Sequence, residues 1–122
     1  MTPMPYDIHG DMKYGSLEVI DAATLAAACA EKWWNQSLCR VNDCVVRLGV
    51  FEGEFHWHRH DAEDELFFVL AGRLLVDVEG RTAELGPGQG FVVPRGVNHR
   101  TRAPARTVVL MVEGAAVKPT GD

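Results

Sequence analysis

An all-β sandwich or barrel of the jelly-roll kind, preceded by one short helix, is the fold class this sequence predicts, and three observations predict it. After Gln36 the chain consists of short runs rich in Val, Leu and Phe. Turn signals separate these runs at Asn42-Asp43, Glu52-Gly53, Ala71-Gly72, Glu79-Gly80, Gly86-Pro87-Gly88, Pro94-Arg95-Gly96 and Ala103-Pro104. No helical pattern of about ten residues intervenes, so the strands are expected to pair antiparallel rather than through crossover helices.

Residues 1–16 contain Pro3, Pro5, Gly10 and Gly15 and show no period, which predicts a flexible leader or an arm that docks elsewhere. Residues 17–122 are expected to form one domain, because 122 residues of which 47% are hydrophobic support one core and leave no room for a second. Within that domain, residues from about 21 to 35 read as the helix: Asp21 suits the N-cap, and Ala22, Leu25, Ala26 and Cys29 follow at helical spacing. Trp33 and Trp34 then close the helix and are expected to seal a core or a subunit contact. Neighbours on a helix diverge by about 100°, so one of the two indoles needs a second surface, and a homodimer is expected.

Charge and composition exclude several functions. Twelve basic against seventeen acidic residues give a net charge of -5, which repels nucleic acid and anionic lipid. There is no apolar run of about eighteen residues and no basic segment leading an apolar one, so a cytoplasmic protein with no membrane partner is expected. Cys29, Cys39 and Cys44 lack a C-x-x-C spacing and read as buried, reduced thiols. Neither Ser16 nor Ser37 lies in a nucleophile elbow, and GPGQG lacks the Lys-Ser/Thr ending of a phosphate loop.

The chemistry is concentrated in Gly53-Glu-Phe-His-Trp-His-Arg-His60. In an extended strand alternate side chains share a face, which groups His56, His58 and His60. Imidazoles at i and i+2 stand roughly 7 Å apart, close enough for both to reach one ion at about 2 Å. Glu65 then opens the apolar run LFFVLAG, where a carboxylate on the buried face needs a cationic partner. His99 follows the Pro94-Arg95-Gly96 turn and can start a strand pointing inward. In that register Arg100 and Arg102 point outward, so they do not form an anion site with Arg95 and Arg106. Glu63 has the parity of Glu65 but lies in the turn and is expected to face solvent.

These residues resemble the two motifs of the cupin superfamily. His58-x-His60, four residues, Glu65, six residues and Gly72 match the first motif, with its leading glycine displaced by one at Gly53. Gly88, Pro94, Gly96 and His99 match the second in register, while the family's trailing asparagine is replaced by Ala103. The resemblance covers residues 53–103 and implies a double-stranded β-helix. It also implies one divalent transition metal, Mn, Fe, Ni, Cu or Zn, held by His58, His60, Glu65 and His99. Small stand-alone cupins of this pattern resemble mannose-6-phosphate isomerases or polyketide-synthesis proteins. A metal-dependent enzyme of oxygenase, isomerase or cyclase type acting on a small oxygen-bearing molecule is therefore expected, with His56 as acid or base. The alternatives are a non-catalytic binding module and an assembly partner docking through the helix and Trp33-Trp34.

Overall fold

The computed structural model describes residues 5–121. Its elements in chain order are β1 (Asp7–His9), α1 (Ala22–Ala28), β2 (Trp33–Val41), β3 (Cys44–Glu54), β4 (Glu65–Ala71), β5 (Leu74–Val78), β6 (Arg81–Leu85), β7 (Gly90–Val93) and β8 (His99–Gly114). Every strand pair is antiparallel except β1 on β2. β8 joins two strand groups: its second half lies between β3 and β4, and its first half pairs with β5, which pairs in turn with β6. The sheet does not close on itself, and the arrangement is the expected double-stranded β-helix with one short helix. Alternate residues of both groups fill the core, among them Trp33, Phe67, Val76, Val93 and Val109.

Three expectations are corrected. The helix ends at Ala28, not near residue 35, and Trp33 and Trp34 lie on β2. Helical propensity yields here to burial: an extended chain sends Trp33 and Asn35 to one face, where each is almost fully buried. Trp34 goes to the other face and packs in a second cluster with Ala26, Leu38, Leu48 and Val50 beneath α1. The two indoles therefore diverge as strand neighbours, and the helical reason for a second surface falls away.

Secondly, neither Glu52-Gly53 nor Ala103-Pro104 is a turn. Both belong to one irregularity of the β3–β8 pair, where Phe51 faces Thr107 but Gly53 faces Ala103, leaving residues 104–106 opposite Glu52 alone. Proline has no N–H to lose there, and Gly53 takes a φ of 107° that favours glycine. The bulge also sends Arg106 to donate a hydrogen bond to the Ala26 carbonyl in the last turn of α1. Thirdly, the cysteines are free but not buried: Cys29 and Cys39 are half-buried and Cys44 is exposed.

The N-terminal arm docks along β2 as the parallel strand β1, and the Lys13 and Tyr14 amides bond to the Ser37 and Leu38 carbonyls; residues 1–4 of the expected leader lie outside the described residues. Asp21 caps α1 as expected, accepting from the Thr24 amide at 3.0 Å and the Thr24 hydroxyl at 2.7 Å. Among the described residues no helix is long and apolar enough to cross a membrane.

On the outer face of β5 and β8, Asp77 collects the two outward arginines. It accepts from Arg102 Nε at 2.6 Å, Arg102 Nη2 at 2.9 Å, Arg100 Nε at 2.8 Å and Thr82 Oγ1 at 2.6 Å. The Arg102 bonds, with those from Thr82 and Arg100, outweigh burial and hold its carboxyl well below the usual range. A depressed carboxyl stabilises the fold fully above the unfolded value of about 4 and loses that contribution as pH falls towards the folded value. Asp77→Asn is accordingly expected to cost about 1–2 kcal/mol at neutral pH, and the gap to the parent to narrow below about pH 4, in urea unfolding followed by circular dichroism. A pH-independent gap would contradict the ionic account.

Candidate metal centre

Strand β3 ends at Glu54, and the next segment is held to β8 by single bonds rather than a ladder. The Phe55 amide donates to the Thr101 carbonyl, and His58 and His99 exchange two backbone bonds of 2.8 Å each. That isolated antiparallel bridge sets the two imidazoles 4.4 Å apart, centroid to centroid. The Pro94-Arg95-Gly96 turn, with Gly96 at a φ of 77°, brings the Gly96 amide onto the His60 carbonyl and so fixes the His60 backbone beside the start of β8. Glu65 opens β4 opposite Val93 on one side and Glu113 on the other.

One ligand-type atom from each of His58, His60, Glu65 and His99 lies within 4.8 Å of the others. His60, Glu65 and His99 are buried and His58 is half-buried. Glu65 Oε1 is 3.4 Å from His60 Nε2 and 3.4 Å from His99 Nε2. Those separations are too long for good charge-assisted hydrogen bonds, and among the described residues Glu65 Oε1 and His99 Nε2 are buried without a bond of acceptable geometry. They suit a shared ion: two donors each about 2.1 Å from one centre, at tetrahedral or octahedral angles, stand about 3.0–3.4 Å apart. The donor set thus fits a divalent metal.

Local backbone contacts fix the ring tautomers. His58 Nδ1 donates to the His56 carbonyl and His99 Nδ1 to the Val97 carbonyl, each at 3.0 Å, because a carbonyl can only accept. With Nδ1 protonated, Nε2 carries the lone pair, the form a metal requires. Burial depresses the His58 pKa to about 4 against the smaller opposing effect of the His56 carbonyl, which keeps the ring neutral. Burial opposes ionisation of Glu65, but the His60 and His99 rings beside it outweigh burial and keep the carboxyl low.

The parity that grouped His56 with His58 and His60 does not hold. The ladder stops at Glu54, Phe55 turns into the core, and His56 is exposed, with Nε2 donating to the Thr120 carbonyl at 2.8 Å. Its ring remains 5.3 Å from that of His58. Glu63 is not one of the four, although it is half-buried rather than fully solvated.

The sequence reading missed a second buried carboxylate. Glu113 is 2% exposed, pairs with Arg47 Nη1 at 3.3 Å and faces Glu65 in register. Burial, with the Glu65 charge behind it, outweighs Arg47 and raises the Glu113 pKa. A signal existed: in TVVLMVE the inward positions are Thr107, Val109 and Met111, and Glu113 continues their alternation.

A cavity adjoins the four residues. His58, Glu65 and Thr101 contribute polar wall, and Trp33, Phe51 and Phe67 are among its apolar wall.

Comparison with known proteins agrees with this architecture. A family model described as "Cupin domain" matches residues 44–113. YdbB of Bacillus subtilis (strain 168) is 48% identical over 90 residues, covering 73% of this chain and 80% of its own. The polyketide synthase CurC of Streptomyces cyaneus is 40% identical over 45 residues, only 37% of this chain and 29% of its own. The crystal structure of a cupin-2 domain containing protein from Shewanella frigidimarina superposes with a TM-score of 0.75 at 29% identity, over 79% of this chain and 94% of its own.

The buried contact of Arg47 with Glu113 yields a stability test. With the Glu113 carboxyl pushed towards its neutral form, removing it strands the Arg47 charge, whereas replacing both side chains with apolar residues does not. Glu113→Leu is expected to cost about 3–5 kcal/mol in urea unfolding, and Glu113→Leu with Arg47→Met to recover most of that loss. Additive losses in the double variant would show that Glu113 is not the partner of Arg47.

Proposed function

The chain belongs to the cupin-domain family, and from that premise we propose that it is a metal-dependent enzyme acting on a small oxygen-bearing organic molecule. The observation that carries this reading is the convergence of three imidazoles and one carboxylate, all within 4.8 Å, beside an aromatic-walled cavity. His58, His60, Glu65 and His99 would hold one divalent transition metal, and such an ion supplies Lewis acidity or a platform for oxygen chemistry. The chain's own part is to orient the donors through the His56 and Val97 carbonyls and to surround the bound molecule with apolar side chains that exclude water. In this reading His56, at the edge of the site, moves a proton once Thr120 releases its ring nitrogen. The partial likeness to a polyketide synthase is compatible with a cyclase.

Elemental analysis of protein purified without a chelating tag is expected to find about one divalent metal per chain. His60→Ala and His99→Ala should lower metal affinity by orders of magnitude, and Glu63→Ala and His56→Gln should leave it near the parent value. Equal losses in all four variants, or substoichiometric metal in the parent after reconstitution, would overturn the assignment. A stoichiometric metal that promotes neither oxygen uptake nor isomerisation of any small substrate would favour the binding-module alternative.

The expected homodimer now rests on a different surface. Phe68 and Leu70 of β4 and Val92 of β7 are 36%, 38% and 54% exposed. A second copy covering these side chains would bury the same patch twice. Light scattering at micromolar concentration should give about twice 13.4 kDa, and Phe68→Lys with Val92→Lys should return the monomer mass. A parent that already scatters as a monomer would refute the dimer.

A further inference from the structure

Part of the cavity wall comes from residues outside 44–113, the span of the family match. Tyr6 reaches in from the segment just before β1, and its ring meets those of Trp33, Phe51 and Phe55 edge-on at centroid distances of 6.1, 6.2 and 5.3 Å. Trp33 and Asn35, two residues apart on β2, present the same face. All three line the cavity that His58 and Glu65 also line.

Their polar atoms are left with bonding capacity. Asn35 is 1% exposed and its Nδ2 donates to the Tyr6 hydroxyl at 2.9 Å, but its Oδ1 has no partner among the described residues. If the amide is turned over, the unpartnered end becomes the NH2 group, so one end stays open in either assignment. Trp33 Nε1 is likewise buried with no partner among the described residues. Each such group carries a desolvation cost while it stays unsatisfied, a cost a ligand can remove. Burial raises the Tyr6 pKa and keeps its hydroxyl protonated. Among the described residues lining the cavity there is no lysine or arginine. A phosphate or second carboxylate away from the four ligands would therefore find no countercharge. The space is tight, walled by the rings of Tyr6, Trp33, Phe51, Phe55 and Phe67.

We infer that the cavity takes a compact, unphosphorylated molecule with one oxygen-bearing end at the His58, His60, Glu65 and His99 group and a second, uncharged hydroxyl or carbonyl read by Asn35, Tyr6 and Trp33. This assignment of substrate class rests on the metal-site reading for the first end only. Asn35 and Tyr6 are the specificity-determining pair, and the segments that carry them are free to differ among proteins sharing the same ligand motifs.

Hydroxyacetone and dihydroxyacetone phosphate separate the classes, since they share an α-hydroxyketone and differ in the phosphate. Both are titrated by ligand-detected NMR into zinc-loaded and metal-free protein, with zinc content measured on the same samples. Hydroxyacetone should bind saturably to the zinc-loaded parent and at least about tenfold more tightly than the phosphate ester. Tyr6→Phe, which keeps the ring, and Asn35→Leu, which keeps the volume, should each weaken hydroxyacetone about tenfold with zinc content unchanged. If Asn35→Leu fails to fold, Tyr6→Phe carries the test alone. Absence of saturable binding, equal or tighter binding of the phosphate ester, or parent-like binding by Tyr6→Phe would overturn the assignment and leave water as the partner of these groups. Far less than one zinc per parent chain, with hydroxyacetone preference and variant losses intact in the metal-free protein, would instead overturn the metal reading.

Discussion

A carboxylate placed in an apolar interior is the constraint around which this molecule is organised. Glu65 is 4% exposed, on a strand whose inward neighbours are Phe67 and Val69. Left alone it would neutralise or unfold its surroundings, because the desolvation of an isolated charge exceeds what one domain's net stability supplies. The chain answers with ring nitrogens from two segments, His60 just before β4 and His99 at the distant start of β8. At 3.4 Å those rings are better placed to share an ion with the carboxylate than to bond to it directly. The fold and the centre thus depend on one another: the barrel brings the four groups together, and the groups must be compensated for the barrel to close over them.

Behind Glu65, the Arg47 and Glu113 pair extends the same electrostatic problem across β3 and β8. Two carboxylates facing each other in register cannot both remain charged cheaply, and the arginine offsets only part of the repulsion. Such a pair is weak evidence for stability as such. Its position gives it another consequence: any change in charge at Glu65 is felt by Glu113, whose partner Arg47 also donates to the Val117 carbonyl.

How much of this was legible in the sequence follows from what kind of information each feature carries. The ligand group was legible because its spacing is set by short-range geometry: two histidines on one extended segment, a glutamate at a strand start, a histidine after a Pro-x-Gly turn. The strands were legible for the same reason, through β-rich runs between turn residues. His56 was misplaced because parity persists only while a ladder lasts, and the bulge at Gly53 ends it within two residues. The helix was drawn too long because alanine-rich sequence reports local propensity, whereas Trp33 and Asn35 are claimed by a barrel face assembled from distant strands. Pro104 read as a turn, yet a proline is equally compatible with an unpaired stretch inside a long strand.

The same distinction separates the four ligand-type residues from the distal wall of the cavity on physical grounds. Metal-type donors demand fixed distances, so they come from backbone segments that are mutually hydrogen-bonded: His58 to His99, and His60 to Gly96. The distal wall demands only shape and one or two polar groups, which can come from any segment that reaches the opening. Here it comes from an edge arm whose strand β1 pairs over three residues, Asp7 with Trp34, Ile8 with Asn35 and His9 with Gln36. So short a parallel pairing is weak by itself, and the Tyr6 ring, inserted among Trp33, Phe51 and Phe55, adds the apolar contact that helps to anchor it. The side chain that shapes the cavity is therefore also one that secures the arm, which couples occupancy of the cavity to the docking of β1.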